Sequence, residues 1–310
     1  MTLSGAATHA AVVVGAGRMG QAHATVWKSL GVPVRWAVSP RSRPALDAAP
    51  DARWATDLDQ ALADPAVTIV SICTPTPTHA DLAVRGLAAG RHVLLEKPIA
   101  LTVSDAERVA AAAEEAPGIL MVAHVVRFFP AYAALLERVA CGSVGRPRAV
   151  RATRLSAAAP PDEARWLHDE ERSGGLVVDF AIHDIDQANA LLGAPRAVTA
   201  LPAPGDGFGA PVAVTVEYAE GGIAQILAAA DLPAGTPFQT SLDVVGDGGL
   251  DALADTPGDP FEEQARYFLA CVNAGVGPGR APVAAAVDAL RVSLAARESL
   301  RTGARVVLAE

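Results

Sequence analysis

The stretch Ala11-Val12-Val13-Val14-Gly15-Ala16-Gly17-Arg18-Met19-Gly20 determines the expected fold of this chain. An apolar strand runs directly into three spaced glycines, and a helical pattern follows. The first glycine permits a tight turn, the second lets the backbone approach a pyrophosphate, and the third lets the helix pack closely on the strand. The anion then lies at the helix N-terminus, where N–H groups and the helix dipole favour it. The candidate cofactor-binding residues of this turn are Gly15, Gly17, Arg18, Met19 and Gly20.

Strand and helix signals continue to alternate up to about residue 125. Buried runs such as Val67–Cys73 and Ile119–Val125 are separated by helical segments of about a dozen residues, of which Thr78–Ala89 is one. This alternation predicts a parallel, doubly wound α/β sheet. We therefore expect a Rossmann dinucleotide-binding domain over residues 1–125.

The pattern changes after Arg127. Long runs such as Val212–Tyr218 and Ile223–Asp231 alternate polar and apolar residues, which predicts strands of an antiparallel sheet with one exposed face. Residues 126–310 are therefore expected to form an α+β domain with a large, mostly antiparallel sheet, which serves substrate binding and oligomerisation.

An exposed apolar sheet face would mark an interface between copies of the chain. Val212, Val214 and Val216 alternate on one face of a predicted strand, and the segment from Ile223 to Leu227 lies close by. This pattern predicts a homodimer, or a homotetramer built from paired dimers, joined face to face through the sheet.

Composition narrows the classes of function. The formal net charge of −9 disfavours nucleic acid and anionic membranes as partners. No run reaches the roughly 18 consecutive apolar residues that a membrane span needs, and the first residues show no secretory pattern. Cys73, Cys141 and Cys271 are far apart and odd in number, which predicts neither a disulfide framework nor a metal site. We expect a cytoplasmic protein without a metal.

The segment Glu96-Lys97-Pro98 follows the predicted strand His92–Leu95. Ligands of open α/β sheets bind at the carboxyl ends of the strands, so Lys97 would bring a cation to the edge where the dinucleotide presents its reactive ring. The alternative is a salt bridge in an ordinary loop. We favour a functional lysine.

The end of the second strand bears on the choice of cofactor. NAD-binding proteins place an acidic residue there on the ribose 2′-OH, whereas an arginine accommodates the 2′-phosphate of NADP. This chain has Ser39, Arg41 and Arg43 and no carboxylate. The pattern favours NADP over NAD, with a solvated basic turn as the alternative.

Asp179 and His183 are four residues apart in a predicted helix, so they share one face. A carboxylate one turn from an imidazole can fix its tautomer, which suits a role in proton transfer. On the residues alone, a purely structural pair is the more common case.

The whole set of motifs resembles the glucose-fructose oxidoreductase / inositol dehydrogenase / rhizopine-catabolism (Gfo/Idh/MocA) family. The segments that carry the resemblance, in chain order, are Gly15–Gly20, Cys73–His79, Glu96–Pro98, Arg127–Pro130 and Gly174–Asp184. The resemblance implies that Lys97, Asp179 and His183 are the catalytic residues and that the Lys97–Pro98 bond is cis. It further implies cofactor contacts from Thr74, Pro75, His79, Glu96 and Lys97, and from a loop that contains Trp166.

These expectations point to an NAD(P)-dependent oxidoreductase that acts on a secondary alcohol or ketone of a polyol, sugar or sugar derivative. Two alternatives stay open within the same family. One is a cofactor-bound sensor without turnover, and the other is an NAD-dependent glycoside hydrolase. The intact Lys97/Asp179/His183 set argues against the sensor, since a sensor has no need of proton-transfer groups.

Overall fold

The computed structural model describes residues 9–40, 46–159, 166–204, 208–254 and 256–308 of the chain. These residues form two compact units. The first unit comprises the described residues up to Ala100 together with Ser104–Phe128 and Asp259–Ala284, and the second comprises Leu101–Val103, Phe129–Gly258 and the described residues from Ala285 onward. The first unit thus includes a late segment, Asp259–Ala284. The domain boundary expected at residue 125 stays a prediction.

The α-helices that lie wholly within the described residues are α1 (Arg18–Ser29), α2 (Leu58–Leu62), α3 (His79–Ala88), α4 (Val103–Glu115), α5 (Pro130–Ala140), α6 (Glu170–Ser173), α7 (Ile182–Leu192), α8 (Pro260–Ala274) and α9 (Val283–Thr302). Short 3₁₀ turns occur at Thr76–Thr78 and Val125–Phe128, and a π-helical turn occurs at Val177–Ala181.

The first unit contains a six-stranded sheet with the order β3-β2-β1-β4-β5-β6, and all neighbouring strands are parallel. Every residue of β1, β4 and β6 is buried, as expected for strands covered on both faces. The doubly wound α/β prediction is confirmed. The strands are β1 (Ala11–Val14), β2 (Val34–Val38), β3 (Arg53–Ala55), β4 (Ile69–Ile72), β5 (His92–Glu96) and β6 (Leu120–Ala123).

Helix α8 was not predicted from the sequence, although its signals are present. Asp259 accepts hydrogen bonds from the N–H groups of Phe261 and Glu262, and Pro260 occupies the first helical position. A buried apolar stripe brings Phe268 against Trp27 of α1, with the rings 6.3 Å apart and edge to face. This packing explains why the late segment belongs to the first unit.

The second unit contains a seven-stranded sheet with the order β12-β11-β7-β10-β9-β8-β13. Strands β7 and β10 are parallel and the other neighbours are antiparallel, which confirms the predicted mostly antiparallel sheet. Helix α7 packs on β7 and β10. The strands are β7 (Pro147–Ala157), β8 (Pro195–Pro202), β9 (Val212–Tyr218), β10 (Ile223–Leu232), β11 (Gln239–Gly246), β12 (Leu250–Ala252) and β13 (Val306–Val307).

The exposed face of this sheet is not the one expected. Val212, Val214 and Val216 are buried, so the prediction that they form an open apolar face is wrong. The pleat directs them into the core of the unit and directs the intervening residues outward. On the neighbouring strand, Ile223 and Leu227 are 45% and 42% exposed, as the interface hypothesis requires.

Candidate functional site

The glycine turn is closed on its inner side and open on its outer side. Gly15 has φ +91°, and a Cβ there would lie 2.6 Å from the carbonyl oxygen of Cys73. A Cβ on Gly20 would collide with the carbonyl oxygen of Gly15. At Gly17, by contrast, a Cβ would meet no atom of the described residues within 4 Å. A ligand can therefore approach the backbone at the N-terminus of α1 closely, as the binding of a pyrophosphate requires.

All six strands of the first sheet have their carboxyl ends at one edge, because all neighbouring strands are parallel. The strand order reverses between β1 and β4, and open α/β sheets bind ligands at such a reversal. The predicted cofactor residues of the first unit follow these strand ends: Gly15 follows β1, Ser39 follows β2, Thr74 and Pro75 follow β4, and Lys97 follows β5. Arg18 and Met19 form the first turn of α1.

The backbone of Ser39 is held by the edge strand β3. Its N–H donates to the carbonyl oxygen of Ala55 at 3.0 Å, and its own carbonyl oxygen accepts from Nε1 of Trp54 at 3.1 Å. Arg41 and Arg43 lie outside the described residues, so the predicted contact with a 2′-phosphate stays a prediction.

Glu96 is buried and contacts His23, a residue that sequence analysis did not identify. Its Oε1 lies 2.9 Å from Nε2 of His23, and its Oε2 accepts the N–H of Lys97 at 3.2 Å. Burial lowers the pKa of His23, but Cys73 and Glu96 outweigh that effect and raise it to about 10. Burial raises the pKa of Glu96, and the hydrogen bond from His23 reverses this to a net lowering. A buried histidine–carboxylate contact therefore lies at the residue directly before Lys97.

The Lys97–Pro98 peptide bond is cis, as predicted. His79, expected to line the cofactor, is almost fully buried, with 1% of its surface exposed. Its Nδ1 lies 2.7 Å from the carbonyl oxygen of Pro98 and its Nε2 lies 2.8 Å from that of Thr74. Burial lowers the pKa of this imidazole. Both ring nitrogens thus face backbone carbonyl oxygens, and the imidazole lies between the segments after β4 and β5.

In the second unit, Asp179 and His183 lie on either side of a change in helix type. Asp179 belongs to the π-helical turn, whereas His183 belongs to the first turn of α7. The α-helix predicted to carry both residues is therefore a π turn followed by an α-helix. Single π turns are frequent at functional sites.

Helix α7 is tied to the sheet by a buried ion pair that sequence analysis did not find. Nε and Nη2 of Arg154, on β7, donate to Oδ2 and Oδ1 of Asp184 at 2.7 and 3.0 Å. The guanidinium also lies 5.7 Å from each of the rings of Phe180 and Phe238. Burial raises the pKa of the Asp184 carboxyl, and the guanidinium opposes that shift. The sequence did contain a signal for this pair. Arg154 shares the buried face of β7 with Val150 and Ala152, where a charged side chain needs a partner.

Trp166 lies in a short helical turn of the second unit, where its carbonyl oxygen accepts the N–H of Asp169 at 3.3 Å. Its predicted contact with the nicotinamide stays a prediction. Across the described ranges, no group of three or more His, Cys, Asp or Glu side chains is placed to hold a metal ion.

Two family models match the chain, one for each sheet. The model described as "Oxidoreductase family, NAD-binding Rossmann fold" matches residues 10–124. The model described as "GFO/IDH/MocA C-terminal domain" matches residues 132–250.

Curated proteins match part of the chain. The scyllo-inositol 2-dehydrogenase (NAD(+)) of Bacillus subtilis (strain 168) is 34% identical over 142 residues, which are 46% of this chain and 40% of that protein. The scyllo-inositol 2-dehydrogenase (NADP(+)) IolW of the same organism is 31% identical over 151 residues, 49% of this chain and 42% of that protein. The chain thus spans about two-fifths of the length of these relatives.

A solved structure matches nearly all of the chain. GenD2 from gentamicin A biosynthesis, in complex with NAD, superposes with a TM-score of 0.86 at 29% identity. The match covers 97% of both chains. The similarity therefore includes both sheets.

Proposed function

Since the chain belongs to the Gfo/Idh/MocA oxidoreductase family, we propose that it is an NAD(P)-dependent oxidoreductase acting on a secondary alcohol or ketone of a polyol, sugar or sugar derivative. The observation that carries the proposal is the position of Lys97. It follows β5 at the same sheet edge as the open glycine turn after β1. The names of the two Bacillus subtilis relatives support a cyclic polyol as the substrate class.

Each proposed catalytic residue has a separate role. The cofactor supplies the hydride chemistry when bound. In the oxidation direction, His183 takes the proton of the substrate hydroxyl and Asp179 orients the imidazole. Lys97 stabilises the negative charge that develops on the substrate oxygen. Positioned acid–base help contributes roughly 10²–10⁴ in rate, and charge stabilisation adds to it.

The proposal is tested by a screen of inositols, other polyols and sugars with both NADP⁺ and NAD⁺. We expect at least one cyclic polyol or sugar to give reduced nicotinamide at a rate that depends on enzyme concentration. Reduction by no member of the panel, in either direction, with a protein that binds the cofactor, would oppose the proposal and favour a sensor.

For the cofactor, we propose a preference for NADP, supported by Ser39 at the end of β2 and by the absence of an acid there. NADPH should bind roughly tenfold or more tightly than NADH, because a charge-assisted contact with phosphate is worth about 1.5–3 kcal/mol. Fluorescence titration of both dinucleotides measures this. Ser39→Asp should reverse the preference, since it adds a carboxylate for the ribose hydroxyl and repels a phosphate. Equal binding by the wild type would contradict the prediction.

For assembly, we propose a homodimer, or a tetramer of paired dimers, formed through the open face of the second sheet. Register places Leu227 beside Ala213, and Ala213 beside Leu201, which gives an apolar row across three strands. Leu227→Lys should shift sedimentation from dimer to monomer at micromolar concentration. Val276→Lys, an exposed apolar residue of the first unit, serves as the matched control. A monomeric wild type at that concentration would refute the dimer.

None of the described helices has both the length and the apolar character that crossing a membrane requires. Location in the cytoplasm stays a prediction.

A further inference from the structure

A column of buried polar side chains crosses the first unit. Nε1 of Trp27 donates to Oγ of Ser71 at 3.2 Å, and that oxygen lies 2.7 Å from Nδ1 of His23. The other ring nitrogen of His23 lies 2.9 Å from Oε1 of Glu96. All four side chains are buried, and they come from three elements: α1, β4 and β5.

Stability alone gives no reason for this column. Buried polar groups cost free energy unless they are hydrogen-bonded, and replacing a buried ion pair by apolar residues of similar volume is often neutral or stabilising. Apart from its hydrogen-bond partners, His23 has mostly apolar neighbours: the small cavity that it lines is completed by Val26, Trp27, Leu94, Phe261, Gln264 and Ala265, of which only Gln264 is polar. An apolar residue would pack here on a helix whose buried stripe already includes Ala24 and Val26.

The column ends at the backbone of Lys97. The carboxylate of Glu96 uses one oxygen for His23, and the other oxygen accepts the N–H of Lys97 at 3.2 Å. His23 therefore orients the side chain of Glu96, and the carboxylate in turn orients the backbone of Lys97 at the end of the strand.

A second buried histidine acts on the other side of Lys97. His79 lies within hydrogen-bond distance of the carbonyl oxygens of Pro98 and Thr74. The residues before and after Lys97 are thus each held by an imidazole. His79 lies between Pro98 and the segment after β4, and Glu96 contacts His23 of α1, which in turn contacts Ser71 of β4.

We propose that His23 and His79 are positioning residues for Lys97, and that they hold its backbone from both sides so that its ammonium group is delivered to the substrate oxygen in one place. The catalytic meaning of this arrangement rests on the proposed function. The positioning itself concerns only the backbone, so it can be measured without a substrate.

Amide hydrogen exchange gives the first measurement. The quantity is the exchange rate of the Lys97 amide relative to that of the Val93 amide, which lies in β5 and donates to the carbonyl oxygen of Ile119. His23→Leu should raise this ratio about tenfold or more, because the carboxylate that accepts the Lys97 N–H loses its partner. His23→Gln should restore most of the protection, since an amide can still donate to Glu96. A general loss of stability would accelerate both amides and leave the ratio unchanged.

Val26→Ala is the matched control, because it removes buried volume from the same helix and cavity without touching the column. It should leave the ratio at the wild-type value. His79→Leu should raise the ratio, with rescue by His79→Gln. If His23→Leu does not fold, Ser71→Ala replaces it in the test, since it removes one partner of His23 and keeps the contact with Glu96. A smaller rise of the exchange ratio is expected for this variant.

Turnover gives the second measurement. With a substrate from the screen, His23→Leu should lower kcat about tenfold or more while the Kd of NADPH changes less than about threefold. A wild type that turns over no substrate would contradict the proposed function. The ratio of the Lys97 and Val93 exchange rates would still test whether the histidines position Lys97. An unchanged ratio in the folded variants of both histidines overturns the inference, whatever the turnover.

Discussion

Replacing Lys97 by methionine is expected to lower kcat by about 10²-fold or more, with little change in the affinity for the cofactor. Methionine keeps much of the length of the side chain and removes the charge. The charge matters mainly in the transition state, when the substrate oxygen becomes negative, and the loss should therefore fall on turnover. Steady-state kinetics and NADPH titration on the same preparation separate the two effects. Lys28→Met, an exposed lysine of α1, is the matched control and should behave as wild type.

His183→Ala should produce a loss of similar size, because it removes the proposed base. Asp179→Asn should fall between the wild type and the other variants, since it disturbs orientation and leaves the imidazole in place. The effects of substituting residues that act together in one chemical step are strongly non-additive. The Lys97→Met/His183→Ala double variant should therefore be little worse than the poorer single variant. Near-normal turnover of both single variants would place the chemistry elsewhere.

Arg154→Met is expected to lower the free energy of unfolding by about 3–5 kcal/mol, because it leaves Asp184 buried and without its partner. The double variant Arg154→Met/Asp184→Leu should recover much of this loss, since it removes both charges and keeps similar volume. Urea unfolding, monitored by circular dichroism, measures the free energy of unfolding of both variants. The slope of this free energy against urea concentration is compared among the proteins to detect changes in cooperativity.

The same strand offers a matched control. Arg151 also pairs with an aspartate, Asp243 on β11, but its side chain is 73% exposed. Arg151→Met should cost no more than about 1 kcal/mol, because exposed ion pairs contribute little. Equal losses for Arg151→Met and Arg154→Met would contradict the account of the buried pair.

Local patterns predicted most of the fold. The first sheet was readable because its strands include continuous apolar runs such as Ala11–Val14, and the second because its strands alternate, as Val212–Tyr218 does. The wrong assignment of the exposed face followed from the same alternation. Alternation shows that two faces differ, but the face that the helices cover is decided by tertiary packing. Strands as short as β12 and β13 carry too little pattern to be recognised.

The candidate site was predictable only where function depends on adjacent residues. The glycine turn and the segment Glu96–Pro98 are contiguous motifs with a local physical reason. His23 and Glu96, by contrast, are 73 positions apart, and Arg154 and Asp184 are 30 apart. Such partners meet only after the sheets form. Sequence could at most have indicated that a histidine in a buried helical stripe needs a partner.

The transfer of a substrate hydrogen to the cofactor tests the central claim most directly. A substrate found in the screen would be prepared with deuterium on its alcohol carbon and incubated with the protein and oxidised cofactor. The account predicts that deuterium appears in the reduced nicotinamide, one for each ketone formed, and that Lys97→Met slows this transfer. Product formed without net reduced cofactor would contradict the account and indicate the glycoside-cleaving alternative, and cofactor binding with no transfer from any substrate would indicate a sensor.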